Sequence, residues 1–185
     1  MTITAVFEYE LNEFEVTIVS NNPEYGSVSV SSVRVPYGAS ITTYSQDITK
    51  ITVGTTDVVA TRSPWTEHYK YFFDEWSGIP TPKVVTQDIT ITANFHREVV
   101  VYTVLFDVSP FGFGTVSPDN LTNVEYGSSI SIDGNTLTIG DKPQVVATPL
   151  SPTSQYRYLF DSWSGIPDSG TIVGNVTITA VFKRV

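Results

Sequence analysis

The stretch Phe73-Asp74-Glu75-Trp76-Ser77-Gly78-Ile79-Pro80 returns as Phe160-Asp161-Ser162-Trp163-Ser164-Gly165-Ile166-Pro167. Each copy is followed by an alternating segment, Ile89-Thr90-Ile91-Thr92-Ala93-Asn94-Phe95 and Val176-Thr177-Ile178-Thr179-Ala180-Val181-Phe182. A third copy of that segment, Thr2-Ile3-Thr4-Ala5-Val6-Phe7, opens the chain. The offset is 87 residues by both markers (163 − 76 and 182 − 95). Periods of about 20–50 residues belong to solenoids and propellers, whose units cannot fold alone. A period near 87 gives each unit room for its own core. The expected organisation is a terminal strand of a preceding repeat over 1–10, a first module over 11–98 and a second over 99–185. Three strands against two Trp turns lead to the expectation that the chain is cut from a longer array.

The segments around the motif read as strands. Ile89, Ile91, Ala93 and Phe95 fall on one face, while Thr90, Thr92 and Asn94 fall on the other. Period-2 alternation of this kind marks a strand with one buried and one wet face. Phe14, Val16 and Ile18 make a similar face, matched by Tyr102, Val104 and Phe106. A Tyr-Gly corner follows in each module, at Tyr37-Gly38 and Tyr126-Gly127. Ile130-Ser131-Ile132, the turn Asp133-Gly134-Asn135 and Leu137-Thr138-Ile139 predict a hairpin, because Gly accepts the positive φ such a turn needs. The first module has a longer version over Ile41 to Gly54. Helical periodicity is almost absent, so the expected class is all-β: two tandem small β-sheet modules. Whether the Thr-x-Thr-Ala-x-Phe strand begins or ends each module is left open.

Composition narrows the function. With no cysteine, neither a disulfide nor a thiolate metal site adds stability. A module of this size buries only about 60–65% of its unfolded surface. Aromatic packing must carry it, and 3 Trp, 10 Tyr and 10 Phe supply it. The net charge is −9, with no basic stripe in either half, which speaks against nucleic acid or an anionic membrane as partner. No apolar run approaches the roughly 20 residues of a membrane span, so no direct membrane insertion is expected. The steps from Phe7 to Phe14 and from Phe95 to Tyr102 contain neither Gly nor Pro, which predicts short, stiff connections.

Tyr71-x-Phe73-x-x-Trp76 and Tyr158-x-Phe160-x-x-Trp163, preceded by Tyr-Gly and Ala147-Thr148-Pro149 and closed by Thr-x-Thr-Ala-x-Phe, resemble the divergent branch of the internalin B-repeat (Listeria–Bacteroides repeat) family. The resemblance implies an extracellular, surface-anchored or cell-wall protein of a prokaryote. It also implies small β-rich modules, often β-grasp-like, serving as stalk or binding repeats. The chain departs from the family pattern at two places. A hairpin is inserted between Tyr126 and Ala147, giving a β-grasp-like module with an inserted hairpin, and Arg62 stands where the family's Pro would be.

Trp76, Trp163, Tyr37 and Tyr126 read as structural anchors, because both modules place them identically. Mismatches between modules are better ligand candidates. Trp65 has only Pro152 opposite it, and Tyr69 and His68 lie nearby. Phe111, in Pro110-Phe111-Gly112-Phe113-Gly114, is unmatched too, whereas Phe113 aligns with Tyr25. For each, covering the core edge is the competing reading. Asp133-Gly134-Asn135 lacks the further acids of a calcium loop, so no metal is expected. Asn120-Leu121-Thr122 and Asn175-Val176-Thr177 are glycosylation sequons, which chance can produce in a Thr-rich chain.

His68 and His96 are the only histidines, with no acid recognisably placed to orient either; no catalytic residue and no cofactor is assigned. Asp74 and Asp161 are expected to hydrogen-bond to the following turn. A Lys–Asp or Lys–Asn cross-link is disfavoured, because Lys50, Lys70, Lys83 and Lys142 are not at equivalent places in the modules. The reading is a non-enzymatic, extracellular stalk, spacer or adhesin segment whose partners are neighbouring repeats. The alternative is a module that binds a cell-surface glycan or protein through loop aromatics. The opening Thr2–Phe7 strand, with Ile3, Ala5 and Phe7 on one face, is expected to pack on the first module or on a neighbouring molecule's sheet.

Overall fold

The structure, a computed structural model, describes every residue except Thr2, Phe7 and Tyr9. Among the described residues it holds sixteen strands and no helix. The chain divides into two compact units. One holds Met1–Thr66 and Lys70–Glu98; the other holds Glu67–Tyr69 and Val99–Val185.

In the first unit, β1 (Glu13–Ser20), β3 (Ser32–Pro36), β7 (Tyr69–Ser77) and β8 (Ile89–Val99) form a sheet in the order β3-β1-β8-β7. The central pair is parallel, with Ile18 opposite Ile91, and β3 runs antiparallel to β1. A second sheet has the order β2-β6-β5-β4, from β2 (Gly26–Val28), β4 (Ile41–Thr43), β5 (Lys50–Val53) and β6 (Thr56–Arg62). The two sheets face each other. Val16, Ile18, Val35 and Ile91 of the first meet Ile41, Ile51, Val53 and Val58 of the second in one buried cluster.

The second unit repeats this order. β9 (Val101–Ser109), β11 (Asn120–Glu125), β15 (Tyr158–Ser164) and β16 (Val176–Arg184) form β11-β9-β16-β15. β10 (Gly114–Ser117), β12 (Ile130–Asp133), β13 (Thr136–Ile139) and β14 (Val145–Pro149) form β10-β14-β13-β12. The inserted hairpin is β12–β13, joined across Gly134-Asn135, with Gly134 at φ +57°. Each first sheet has a parallel pair at its centre, and a second sheet covers its buried face.

The pairing also settles the phase of the repeat. β8 pairs with β1, and β16 with β9, so the Thr-x-Thr-Ala-x-Phe strand closes its module. This bears on the opening segment. Thr2 and Phe7 lie outside the described residues. Ile3, Thr4, Ala5 and Val6 are in no strand and are exposed, Ile3 by 86% and Val6 by 83%. For these four, the expected packing on the first module is not seen. The place such a strand takes, between β1 and β7, is already filled by β8.

The closing strand packs as its alternation predicts. Ile91, Ala93 and Phe95 are buried, as are Ile178, Ala180 and Phe182. The Phe95 ring lies on Gly26 of β2, and the Phe182 ring on Gly114 of β10; a Cβ on either glycine would overlap the ring. The Trp-Ser-Gly turn has a similar cause. Gly78 and Gly165 sit at φ +81° and +78°, against the carbonyl oxygens of Thr90 and Thr177, where no side chain fits. Trp76 and Trp163 are half-buried against both core clusters of their units, and each indole Nε1 is buried with no acceptor among the described residues.

Overpacking a filled site costs about 1–3 kcal/mol, so Gly26→Ala and Gly114→Ala should each destabilise their unit by that amount. Gly174→Ala, which meets open space, should stay within about 0.5 kcal/mol of the parent. Urea unfolding of the three variants checks this.

Candidate functional site

On the first unit an aromatic file crosses the sheet face that points away from the core. Trp65 lies in the loop between β6 and β7, and its Nε1 donates to the Tyr71 carbonyl at 3.3 Å. Its ring leans on Phe72, with centroids 6.1 Å apart. Phe72 stacks on His96 of β8 at 5.2 Å and 19°. His96 Nδ1 lies 2.7 Å from Asp74, and its Nε2 lies 3.7 Å from Glu98. Strand alternation explains the file, because Phe72 and Asp74 point opposite to Phe73 and share a face with His96.

Asp74 therefore reaches across to β8 and holds the histidine, correcting two expectations: that no acid orients His96, and that Asp74 bonds to the turn. Asp161 does the same in the second unit, pairing with Lys183 at 2.7 Å. His96 and Lys183 are equivalent positions (183 − 96 = 87). Sequence reasoning missed this pairing because it compared lysines only with lysines; the shared offset of His96 and Lys183 was the signal available.

Trp65 is half-exposed, but its ring is not bare. The Arg62 guanidinium lies 5.1 Å from the ring and the Lys70 ammonium 5.3 Å. Such cation–π contacts hold the flat surface that a neutral sugar would need. Phe111 presents the opposite case. It is 96% exposed at the tip of the β9–β10 turn. Its neighbour Phe113 packs on Tyr158 at 5.2 Å and under Arg184 at 5.7 Å. Tyr25 is placed likewise, 5.7 Å from Tyr71 and 5.3 Å from Arg97. The aromatic and arginine close the end of each sandwich, and Phe111 stands outside that cap. Tyr69 is half-buried in the second unit, beside His68 at 6.1 Å.

The Tyr-Gly corners differ from each other. Tyr126 is half-buried, and its hydroxyl donates to Glu67 at 3.0 Å; that carboxylate holds the phenol pKa above its usual range. Tyr37, expected as an anchor, is 62% exposed: among the described residues, nothing in the first unit covers it as Glu67 and His68 cover Tyr126.

Two remaining sequence features are structural. Asn175 accepts from the Thr103 amide at 2.8 Å, as Asp88 accepts from Glu15 at 2.8 Å. Asn135 Nδ2 donates to the Ala147 carbonyl at 2.8 Å. Among the described residues, no group of three His, Cys, Asp or Glu is placed to hold a metal ion. No protein-family model, curated protein or solved structure matches this chain.

The second sheet of the first unit carries a polar cluster of its own. Lys50 pairs with Asp57 at 2.7 Å, and Thr52 donates to the same carboxylate at 2.7 Å. These bonds, Lys50 first, lower the Asp57 pKa below its usual range. A lowered folded-state pKa stabilises the native state above the unfolded value and is lost as pH falls through the folded one. Melting temperature should therefore fall below about pH 4 more steeply for the parent than for Asp57→Asn, with the curves converging in strong acid. Parallel curves would remove this pair from the acid response.

Proposed function

We propose that the chain is a non-enzymatic, extracellular tandem-repeat segment of a prokaryotic cell-surface protein, acting as a stalk, spacer or adhesin module. The observation that carries the proposal is one eight-strand order built twice on one chain, with β8 ending at Val99 and β9 starting at Val101. A spacer needs units that each close their own core and little linker between them. Residues shared by the copies serve that end: Trp76 and Trp163, Phe95 and Phe182, Gly26 and Gly114 all sit in or against the cores. The motif resemblance to internalin B-repeats supports the surface setting.

Independent modules under tension unfold one at a time. Pulling the full chain by its ends should give two steps, each releasing about 85 residues, or roughly 300 Å of contour at ~3.6 Å per residue before subtracting the folded length. One step releasing the whole chain would overturn the modular reading. An antibody against the chain should label intact producing cells, and labelling only after permeabilisation would overturn the surface location.

A second reading, a glycan- or protein-binding module, is favoured by Phe111. A bare aromatic at a loop tip suits a partner contact, and aromatic residues, Phe among them, are enriched in interface cores. On a glycan array and against host-surface proteins, any ligand found should lose about tenfold or more in affinity with Phe111→Ala. Trp65→Ala should matter less for a neutral sugar, because Arg62 and Lys70 already hold its ring. Binding indifferent to Phe111→Ala would sink this version.

A further inference from the structure

The corner at Tyr126 shows what a cover for this fold looks like. Tyr126 N donates to Val100 O at 2.9 Å, and its ring leans on Tyr102 at 6.4 Å. The segment Glu67–Tyr69, which belongs to the same unit, sits on this corner. Val100 N donates to His68 O at 2.9 Å, the His68 ring meets the Tyr126 ring edge-on at 4.3 Å, and Glu67 takes the hydroxyl.

The corner at Tyr37 is the same socket, and among the described residues it carries no such cover. Tyr37 N donates to Asn12 O at 2.8 Å, and its ring leans on Phe14 at 6.3 Å. Gly38 and Gly127 share a φ near +80°, at 82° and 80°. The amide of Gly38 donates to Val85 and that of Gly127 to Ile172, at 2.8 and 2.7 Å. Beside the bare Tyr37 runs an open cleft lined by Glu10, Leu11, Asn12, Glu13, Arg34 and Pro36. Asn12 stands where Val100 stands in the second unit, and Leu11 is 64% exposed.

The chain also carries a second copy of the cover. At the repeat offset, Thr66-Glu67-His68-Tyr69 corresponds to Thr153-Ser154-Gln155-Tyr156 (153 − 66 = 87). This loop is folded and exposed: Thr153 N donates to Tyr156 O at 2.8 Å, and Tyr156 N to Thr153 Oγ1 at 3.0 Å. Among the described residues, the Tyr37 corner carries no such cover, and the Thr153–Tyr156 loop lies on no such corner.

We propose that the Tyr37 corner is a docking site for the Thr153–Tyr156 loop of a second copy of this chain, a head-to-tail self-contact built like the Glu67–Tyr69 cover on Tyr126. The proposal goes beyond the spacer role and holds wherever the protein works. Gln155 takes the place of His68, offering its carbonyl to the Asn12 amide and its side chain to the Tyr37 ring. Ser154 takes the place of Glu67 and cannot supply the carboxylate, so the contact lacks a charge-assisted bond. Socket and cover are different surfaces, so the contact is heterologous and generates a ring or an open series of copies. The net charge of −9 opposes it, and added salt therefore strengthens it.

Sedimentation equilibrium of the full chain, up to about 1 mM, the effective concentration a short tether provides, tests the proposal. The parent should associate weakly as concentration rises, and more at high salt. Ser154→Glu with Gln155→His, which rebuilds the Glu67-His68 cover, should tighten association by about tenfold. Adding Tyr37→Ala to that variant should return it to monomer. Tyr37 is a surface residue, so the substitution leaves the core intact, and circular dichroism confirms the fold. A rebuilt-loop variant that stays monomeric at the highest concentration overturns the proposal. So does association that survives Tyr37→Ala.

Discussion

Each unit depends on an aromatic ring resting against a glycine. Phe95 and Phe182 end the buried faces of the closing strands, and Gly26 and Gly114 form the floor beneath them. The contact joins the two sheets at the end where Ala60 and Ala93, or Ala147 and Ala180, are too small to fill the space. Phe73 and Phe160 meet those rings edge-on, at 5.4 and 5.9 Å, and the tryptophans pack behind them. Edge-to-face pairs contribute about 0.5–1.5 kcal/mol beyond burial, and a fully buried Ile such as Ile91 or Ile178 contributes roughly 1.5–3 kcal/mol. The Trp-Ser-Gly motif thus follows from a geometry set by the closing strand. The turn must bring β7 back against β8 with its glycine on a carbonyl oxygen.

That dependence explains what could be read in advance. The closing strand has one dry face, so its alternation is unbroken, and Ile91, Ala93 and Phe95 announce themselves. The Gly134 turn was legible for a local reason, its positive φ. The second sheet was harder. β2 is three residues long and β4 is three, and so short a segment shows no period. Nor could alternation reveal that β8 pairs in parallel with β1, some seventy residues earlier, because parallel partners are joined by the fold and not by a turn. The phase of the repeat followed from that pairing alone.

The candidate site was only partly legible, and for a related reason. Trp65 and Phe111 stood out as mismatches between copies, but sequence could not distinguish a ring flanked by its own cations from a bare one. Arg62 and Lys70 lie near Trp65 because β6 and β7 carry them there. The His96–Asp74 pair was hidden by its twin, which uses a lysine. The outer sheet face accepts either residue because both side chains are exposed there and both reach a carboxylate at 2.7 Å. On the inner face of the closing strand, Ile91, Ala93 and Phe95 recur unchanged as Ile178, Ala180 and Phe182.

Two copies of one fold on one chain form an internal control that a single domain lacks. Tyr37 and Tyr126 share a backbone conformation, a hydrogen bond and an aromatic neighbour, yet one is exposed and the other covered. The difference therefore does not arise in the corner itself. It comes from whether a loop with a carbonyl, a flat side chain and an acceptor lies on it, and that loop is far away in sequence. An exposed tyrosine in an otherwise ordinary corner would carry no information. Beside a covered twin, its exposure marks a surface on which the twin seats a carbonyl, an imidazole and a carboxylate.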